Sequence, residues 1–345
     1  MLPEFLTQKF ITGVIREFPV EGFLGNEILP LEGVASMEVV YDVIKKDAKL
    51  APFIAMNAES TLADKANFKR ITQELAAVRI KELLNEEEIL SLREPGQPEL
   101  GIDGLAATRA AVAERYLRTT AERMSARVNS RVEWMRWEAL AKGKIDYKTK
   151  DVNFSVDFGI PSGQKITLHT TDRWSETSTA DPLGDIAEWM EIIRKAARRP
   201  VTRMYVGGNI QSYLVQNEKI RQLLSGSELV AQMLSPAGVL DFLGMLMGIK
   251  IMRYDISYQS DAGSDATFLP DDYIVMMCEP KQPDGEVLGD VMTGPAKANN
   301  YQTGLYGWVK EEEDPWATYI GAGIHAFPRI YHPNWILSAN VKDAT

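Results

Sequence analysis

Cysteine occurs once in this chain, as Cys278, so no intrachain disulfide can form. Its place in an apolar stretch marks a buried, inert thiol rather than a nucleophile, and a reducing, intracellular folding compartment is expected. Histidine is nearly as scarce. His169, His325 and His332 are the only three, and no two share the i,i+4 spacing of a zinc-binding helix. No metal and no cofactor is expected. Long apolar runs are missing as well: VLDFLGMLMGIKIM is interrupted by Asp241, Gly244, Gly248 and Lys250 and falls short of the ~20 residues a membrane span needs. A membrane is not an expected partner, and MLPEFLTQKF has no basic region followed by an apolar one, so no secretory signal is expected. Positive charge is in deficit, with 38 Lys and Arg against 48 Asp and Glu and a net charge of −10. Affinity for phosphates comes from clustered cations, so sequence-specific nucleic-acid binding is not expected; a surface that merely lies beside DNA is compatible with this charge.

The motifs of common catalytic sites are missing too. Neither a Walker phosphate loop nor a nucleophile elbow is present, and Gly207-Gly208 lacks the remaining glycines of a dinucleotide fingerprint. That pair reads as a strand-to-helix turn. The acidic runs Glu86-Glu87-Glu88 and Glu311-Glu312-Glu313-Asp314 read as solvated loops rather than acid/base pairs, so no catalytic residue is expected. An enzyme whose site leaves no local signature stays open as an alternative.

What the chain does contain is ample apolar content: 345 residues at 45% hydrophobic can bury a full core, in about two domains. Residues 1–36 read as an arm. Gly13, Pro19, Gly22, Gly25 and Pro30 are spaced too closely for a long element, yet Phe5, Phe10, Ile15, Phe18, Phe23, Leu24 and Ile28 are too apolar for a solvated tail. Such an arm is expected to lie along another surface. From Met37 to Val43 apolar and polar residues alternate as in a half-buried strand, and a second extended run follows near Ile71–Ile80. Between them the chain is rich in charge, with Lys45, Lys46, Lys49, Asp64 and Lys65. A two-stranded excursion this long is uncommon in a compact domain unless its loop has a job.

From Leu105 to Lys142 the apolar and small residues Ala106, Ala110, Ala113, Leu117, Ala121, Met124, Val128, Val132, Met135 and Ala139 are separated by steps of three and four. The spacing predicts a helix of roughly 50 Å, stopped by Gly143. Its other faces carry Arg109, Arg115, Arg118, Arg123, Arg127, Arg131 and Arg136, of which Arg123, Arg127 and Arg131 repel at i,i+4 spacing. These arginines are either solvated or meet acidic groups of a neighbour.

Short strands follow Gly143, then a turn-rich boundary at Thr179–Gly184. Beyond it the pattern predicts a helix over Asp185–Arg198, a strand over Thr202–Val206, helices over Gly208–Gln216 and Glu228–Leu246, and a strand over Ile249–Ile256. FLPDDYIVMM, Phe268–Met277, is expected as the partner of that last strand. Pro270 delivers the chain extended, Asp271 and Asp272 keep its entry wet, and Ile274, Val275, Met276 and Met277 suit a strand covered on both faces. Trp308–Val341 reads as a β-rich return.

This order of elements resembles the major capsid protein of lambda-like tailed phages, the capsid protein E family with the Hong Kong 97 capsid fold. The resemblance rests on FLPDD before a buried strand, GVLDFLGMLMGIKIMRYDISY upstream, DPLGDI at Asp181–Ile186, and EDPWATYIGAGIHAFPRIYHPNWILSANV at the end. It implies an α+β subunit with an N-terminal arm (1–36), an extended E-loop and its connection (37–100), a peripheral domain with a long spine helix (101–180), an α/β axial domain (181–314) and a C-terminal β return to the peripheral domain (315–345). It also implies self-assembly as hexamers and pentamers into an icosahedral shell around double-stranded DNA, with a separate scaffolding protein, a portal and a decoration protein as partners. The virion capsid, and the host cytoplasm during assembly, are the implied locations, and a prophage is a possible source. Lys45, Lys46, Lys49, Asp64, Lys65, Arg123, Arg127 and Arg131 are then candidate subunit contacts. A nanocompartment shell of the same fold is the nearest alternative.

Overall fold

The structure, a computed structural model, describes residues 8–17, 22–44, 68–84, 105–149, 152–224, 236–261, 263–313 and 316–342. The chain divides into two compact units, one of Met1–Val39, Glu74–Arg136 and Val291–Pro328, the other of Val40–Gln73, Trp137–Asp290 and Arg329–Thr345.

The first unit is organised on the 15-residue strand Trp316–Ile330, which pairs antiparallel with Tyr306–Glu313 and with Ala76–Leu84. Gly289–Thr293 and Leu31–Gly33 extend the same sheet, and these two run parallel. Gly321 faces Trp308 in the ladder, and a Cβ there would stand 2.1 Å from the indole. The strand is therefore bare at that position so that the Trp308 ring can lie flat across it.

On Tyr306–Glu313 packs a ten-residue helix, Gln8–Glu17, where the arm was expected to hold no long element. Ile11, Val14 and Ile15 supply an i, i+3, i+4 stripe, all at most 3% exposed, and Gly13 sits where the helix has open space. Thr12 Oγ1 donates to the Gly307 carbonyl at 3.1 Å and Arg16 Nε to that of Leu305 at 2.8 Å. This part of the arm thus lies along its own chain.

The long helix Leu105–Trp137 continues through a π-turn at Glu138–Lys142 and stops at Gly143, whose φ of 64° is left-handed. Leu117, Ala121, Met124, Val128, Val132 and Met135 form the expected buried stripe, none more than 2% exposed.

In the second unit a five-stranded sheet runs in the order Lys165–Thr167, Ile336–Asn340, Tyr273–Cys278, Val201–Val206, Lys250–Arg253. Tyr273–Cys278 is its centre, and Ile274 through Cys278 are fully buried. Burial pushes the Cys278 thiol up to about 12. The expected pairing of Phe268–Met277 with Ile249–Ile256 goes no further than Phe268 N donating to the Ile256 carbonyl at 3.1 Å, and the strands Tyr273–Cys278 and Lys250–Arg253 are not neighbours. Lys250–Arg253 instead runs parallel to Val201–Val206, because the intervening helices Ile210–Gln216, Glu218–Leu224 and Pro236–Met247 make a crossover connection between the two. Tyr273–Cys278 takes the other side of Val201–Val206, antiparallel, with Ile336–Asn340 beyond it.

At the entry to the central strand Leu269 is fully buried, while Asp271 stays exposed. A Cβ on Gly207 would meet the Pro270 carbonyl oxygen at 2.3 Å, so the strand-to-helix turn passes LPDD backbone against backbone. Helix Pro182–Ala197 starts at Asp181, whose side chain accepts from Gly184 N at 3.2 Å. Its buried face carries Ile186, Trp189 and Ile193, and Trp174 stacks on Trp189 with centroids 5.7 Å apart.

The short ribbon Lys144–Lys148 with Asn153–Asp157 falls in the second unit, Val291–Glu313 falls in the first, and the last strand joins the sheet of Tyr273–Cys278.

Candidate subunit-contact surface

The sequence points to charged residues rather than to a catalytic motif, so the candidate site is the set of charged and exposed groups left over once each unit's core is made. The long helix is the natural place to begin, because its stripe of buried residues turns the arginines to the other faces. They do not behave as one solvated set.

Arg136 and Glu133 are buried, with side chains 5% and 0% exposed, and pair at 3.2 Å. Arg136 Nε also donates to the Leu29 carbonyl at 3.0 Å and Nη2 to Asn26 Oδ1 at 3.0 Å, while Glu133 accepts from Gly25 N at 2.9 Å. The pair clamps the turn Gly25–Ile28 onto the helix. Arg136 is therefore neither solvated nor turned to an acidic group of a neighbour, because an i,i+3 ion pair looks the same in sequence whether water or backbone surrounds it.

Arg123 pairs with Glu82 of the neighbouring strand at 2.5 Å, and Arg118 with Glu17 at 3.7 Å while its guanidinium lies 5.4 Å from the Phe10 ring centre. Arg131 is half-buried, 5.2 Å over Trp134. Arg127 is exposed and has no ion-pair partner among the described residues. Of the three arginines named as contacts, two are therefore already engaged within the chain, and the structure does not gather them into one cluster. Lys45, Lys46, Lys49, Asp64 and Lys65 lie outside the described residues.

The excursion is represented by its two strands, Glu38–Ile44 and Phe68–Glu74, which pair with each other and, among the described residues, with no third strand. Leu75 N donates to the Met37 carbonyl at 3.0 Å at its base. Beside these charged candidates stand large apolar side chains that sequence reasoning did not single out: Met245 at 80% exposure and Tyr301 at 73%. Single exposed residues carry no sequence signal, since exposure is decided by packing.

The three histidines are dispersed. His169 is exposed; His332 is buried and stacked on Trp335 with centroids 4.3 Å apart. His325 is buried too, with Nδ1 2.9 Å from the Pro295 carbonyl and Nε2 2.7 Å from Arg79 Nη2. Among the described residues no group of three His, Cys, Asp or Glu is placed to hold a metal ion, and no helix is long and apolar enough to cross a membrane.

Comparison with known proteins gives this surface its context. A prophage protein of E. coli CFT073 described as a capsid protein has a similar structure, with a TM-score of 0.66 over 98% of this chain and 99% of that one at 16% identity. A phage-related protein of Bordetella bronchiseptica RB50 superposes with a TM-score of 0.59 over 98% and 99% at 12% identity. The capsid of Myoviridae phage XM1 follows with a TM-score of 0.51 over 98% and 93% at 10% identity. At these identities the likeness is one of fold, and the fold is that of phage capsid proteins. The family itself is given by sequence, because the profile of phage major capsid protein E matches residues 7–315 of the 345. The chain belongs to the phage major capsid protein E family, and it builds the shell of a phage head.

Proposed function

We propose that the chain closes its shell as hexamers and pentamers through an extended E-loop that reaches onto a neighbouring copy, residues 37–100 holding the loop and its connection. The observation that carries this reading is the ribbon of Glu38–Ile44 and Phe68–Glu74, which among the described residues is paired with no third strand. A two-stranded hairpin alone is marginal in water, so a partner surface is what makes such a ribbon worth keeping. On this reading Lys45, Lys46, Lys49, Asp64 and Lys65 supply polar contacts at the loop, and Arg127 meets an acidic group of the next copy.

The long helix is then the spine of a peripheral domain, and the sheet centred on Tyr273–Cys278 the core of an axial domain. Function resides in contacts between copies rather than in a catalytic centre. A separate scaffolding protein, a portal and a decoration protein complete the assembly, which proceeds in the host cytoplasm before the chain takes its place in the virion capsid.

Deleting residues 48–65 tests the reading. The variant should stay soluble, keep its circular dichroism and thermal midpoint, and form no closed particles by electron microscopy. Closed shells from the deletion variant would show that the loop is dispensable.

A further inference from the structure

The loop between strands Gly289–Thr293 and Tyr306–Glu313 holds two consecutive non-glycine residues in the left-handed region, Asn300 at φ 50° and Tyr301 at φ 60°. Asparagine tolerates that region; a bulky aromatic there is an outlier, and glycine is the residue that adopts it without strain. The rest of the loop enforces the conformation. Tyr301 N donates to the Ala296 carbonyl at 2.9 Å and Gln302 N to that of Asn299 at 2.9 Å. The buried Asn299 side chain donates to the Gln302 carbonyl at 2.9 Å and that of Thr303 at 3.3 Å, and accepts from Arg16 Nη2 at 3.3 Å. Gln8 Nε2 braces the loop again at the Ala298 carbonyl.

Yet the Tyr301 side chain is 73% exposed. The subunit maintains a strained backbone and gains little burial from the ring it presents, which places the reason for the ring outside the subunit. Residues 295–304 carry Lys297 as their sole charged side chain, while the whole chain is at −10. The loop can therefore approach an acidic surface without the like-charge repulsion that most of this chain's surface would meet. A pre-organised aromatic anchor of this kind loses little entropy on contact and suits the centre of a protein interface.

We propose that Tyr301 is an anchor residue in the contact between two copies of this chain, its ring seated on the acidic surface of the second copy. The proposal rests on shell-building by this chain, and the experiment separates the two.

Full-length wild type is compared with Tyr301→Gly and Tyr301→Asn, both of which accept the left-handed backbone. Particle formation is followed by light scattering and electron microscopy across protein concentration, alone and with the other head proteins. Both variants should keep or raise the thermal midpoint, and the concentration needed for assembly should rise about tenfold or more. Variants that assemble at the wild-type concentration overturn the anchor, as does a thermal midpoint lower by several degrees in both, which would give Tyr301 to the fold. Normal shells that hold less DNA would assign the ring to nucleic acid and overturn a second copy as its partner. Wild type that forms no particle under any of these conditions would instead sink the shell-building reading itself.

Discussion

The central strand Tyr273–Cys278 carries no charged residue, whereas the ribbon Glu38–Ile44 with Phe68–Glu74 carries Glu38, Asp42, Lys69, Arg70 and Glu74, and the two end in opposite situations. The first has a strand on each side, and Ile274 through Cys278 are sealed from solvent. The second, among the described residues, pairs only with itself. One has its hydrogen-bonding edges taken up on both sides, and the other has, among the described residues, one edge of each strand without a strand partner. On the function proposed above the shell uses each kind: a core that folds before assembly, and an edge that a neighbouring copy completes.

The contrast is broken most forcefully at the core. Met276→Asp would place an unpaired charge in the middle of the sheet and should cost about 4 to 5 kcal/mol or more, read as insoluble protein or a lost unfolding transition. A folded, soluble Met276→Asp variant would mean that the centre of that sheet is not sealed. Next in size is the clamp on the long helix. Arg136→Met takes the cation away from the buried Glu133 carboxylate and should cost about 3 to 5 kcal/mol in urea unfolding. Adding Glu133→Gln should recover part of that loss, because the buried charge is then gone. If both variants lose equally, packing rather than charge holds the turn Gly25–Ile28.

A smaller effect belongs to Asp185, held above the usual carboxylate range by burial, against the hydrogen bond that its Oδ2 accepts from Trp174 Nε1 at 2.8 Å. With its folded pKa above its unfolded one, the group disfavours folding when ionised, so its contribution to stability improves as pH falls through the folded pKa toward the unfolded one. Asp185→Asn keeps an acceptor for Trp174 and removes the charge. It should be as stable as wild type or more so at pH 7, by about 1 kcal/mol or less, with the gap closing toward pH 4. A gap that widens in acid would reverse the assignment. Least of all for the fold should be Arg127→Glu, within about 0.5 kcal/mol, while assembly is impaired. Equal loss of stability from Arg127→Glu and Met276→Asp would erase the distinction between core and contact surface.

Some of this was legible in the sequence because the signal is local. The steps of three and four between Leu117 and Met135 fix which face of the long helix is buried, and the β-branched run after Pro270 marks a covered strand. The partners of that strand were not legible. Lys250–Arg253 is its near neighbour in sequence, but the helical crossover assigns it to Val201–Val206, and no residue in either strand records that choice. Helix Gln8–Glu17 was hidden by Gly13, though Ile11, Val14 and Ile15 already had helical spacing. Of the contact candidates, Arg123 and Arg131 found partners on their own chain, which repulsion at i,i+4 spacing could not foretell. Tyr301 left no trace, because a left-handed φ is a property of the folded loop.

The lone thiol has a practical side. Cys278 is fully buried in the central strand and pushed up to about 12, so in the folded subunit it is neither accessible nor ionised enough to react with maleimides. A cysteine introduced at an exposed position away from the proposed contacts, such as Ala187 on helix Pro182–Ala197, would thus be the single addressable group on each subunit, ready for a fluorophore, a cross-linker or a cargo without first removing the native one. Slow labelling of Cys278 itself would then serve as a clock for how often the sheet opens.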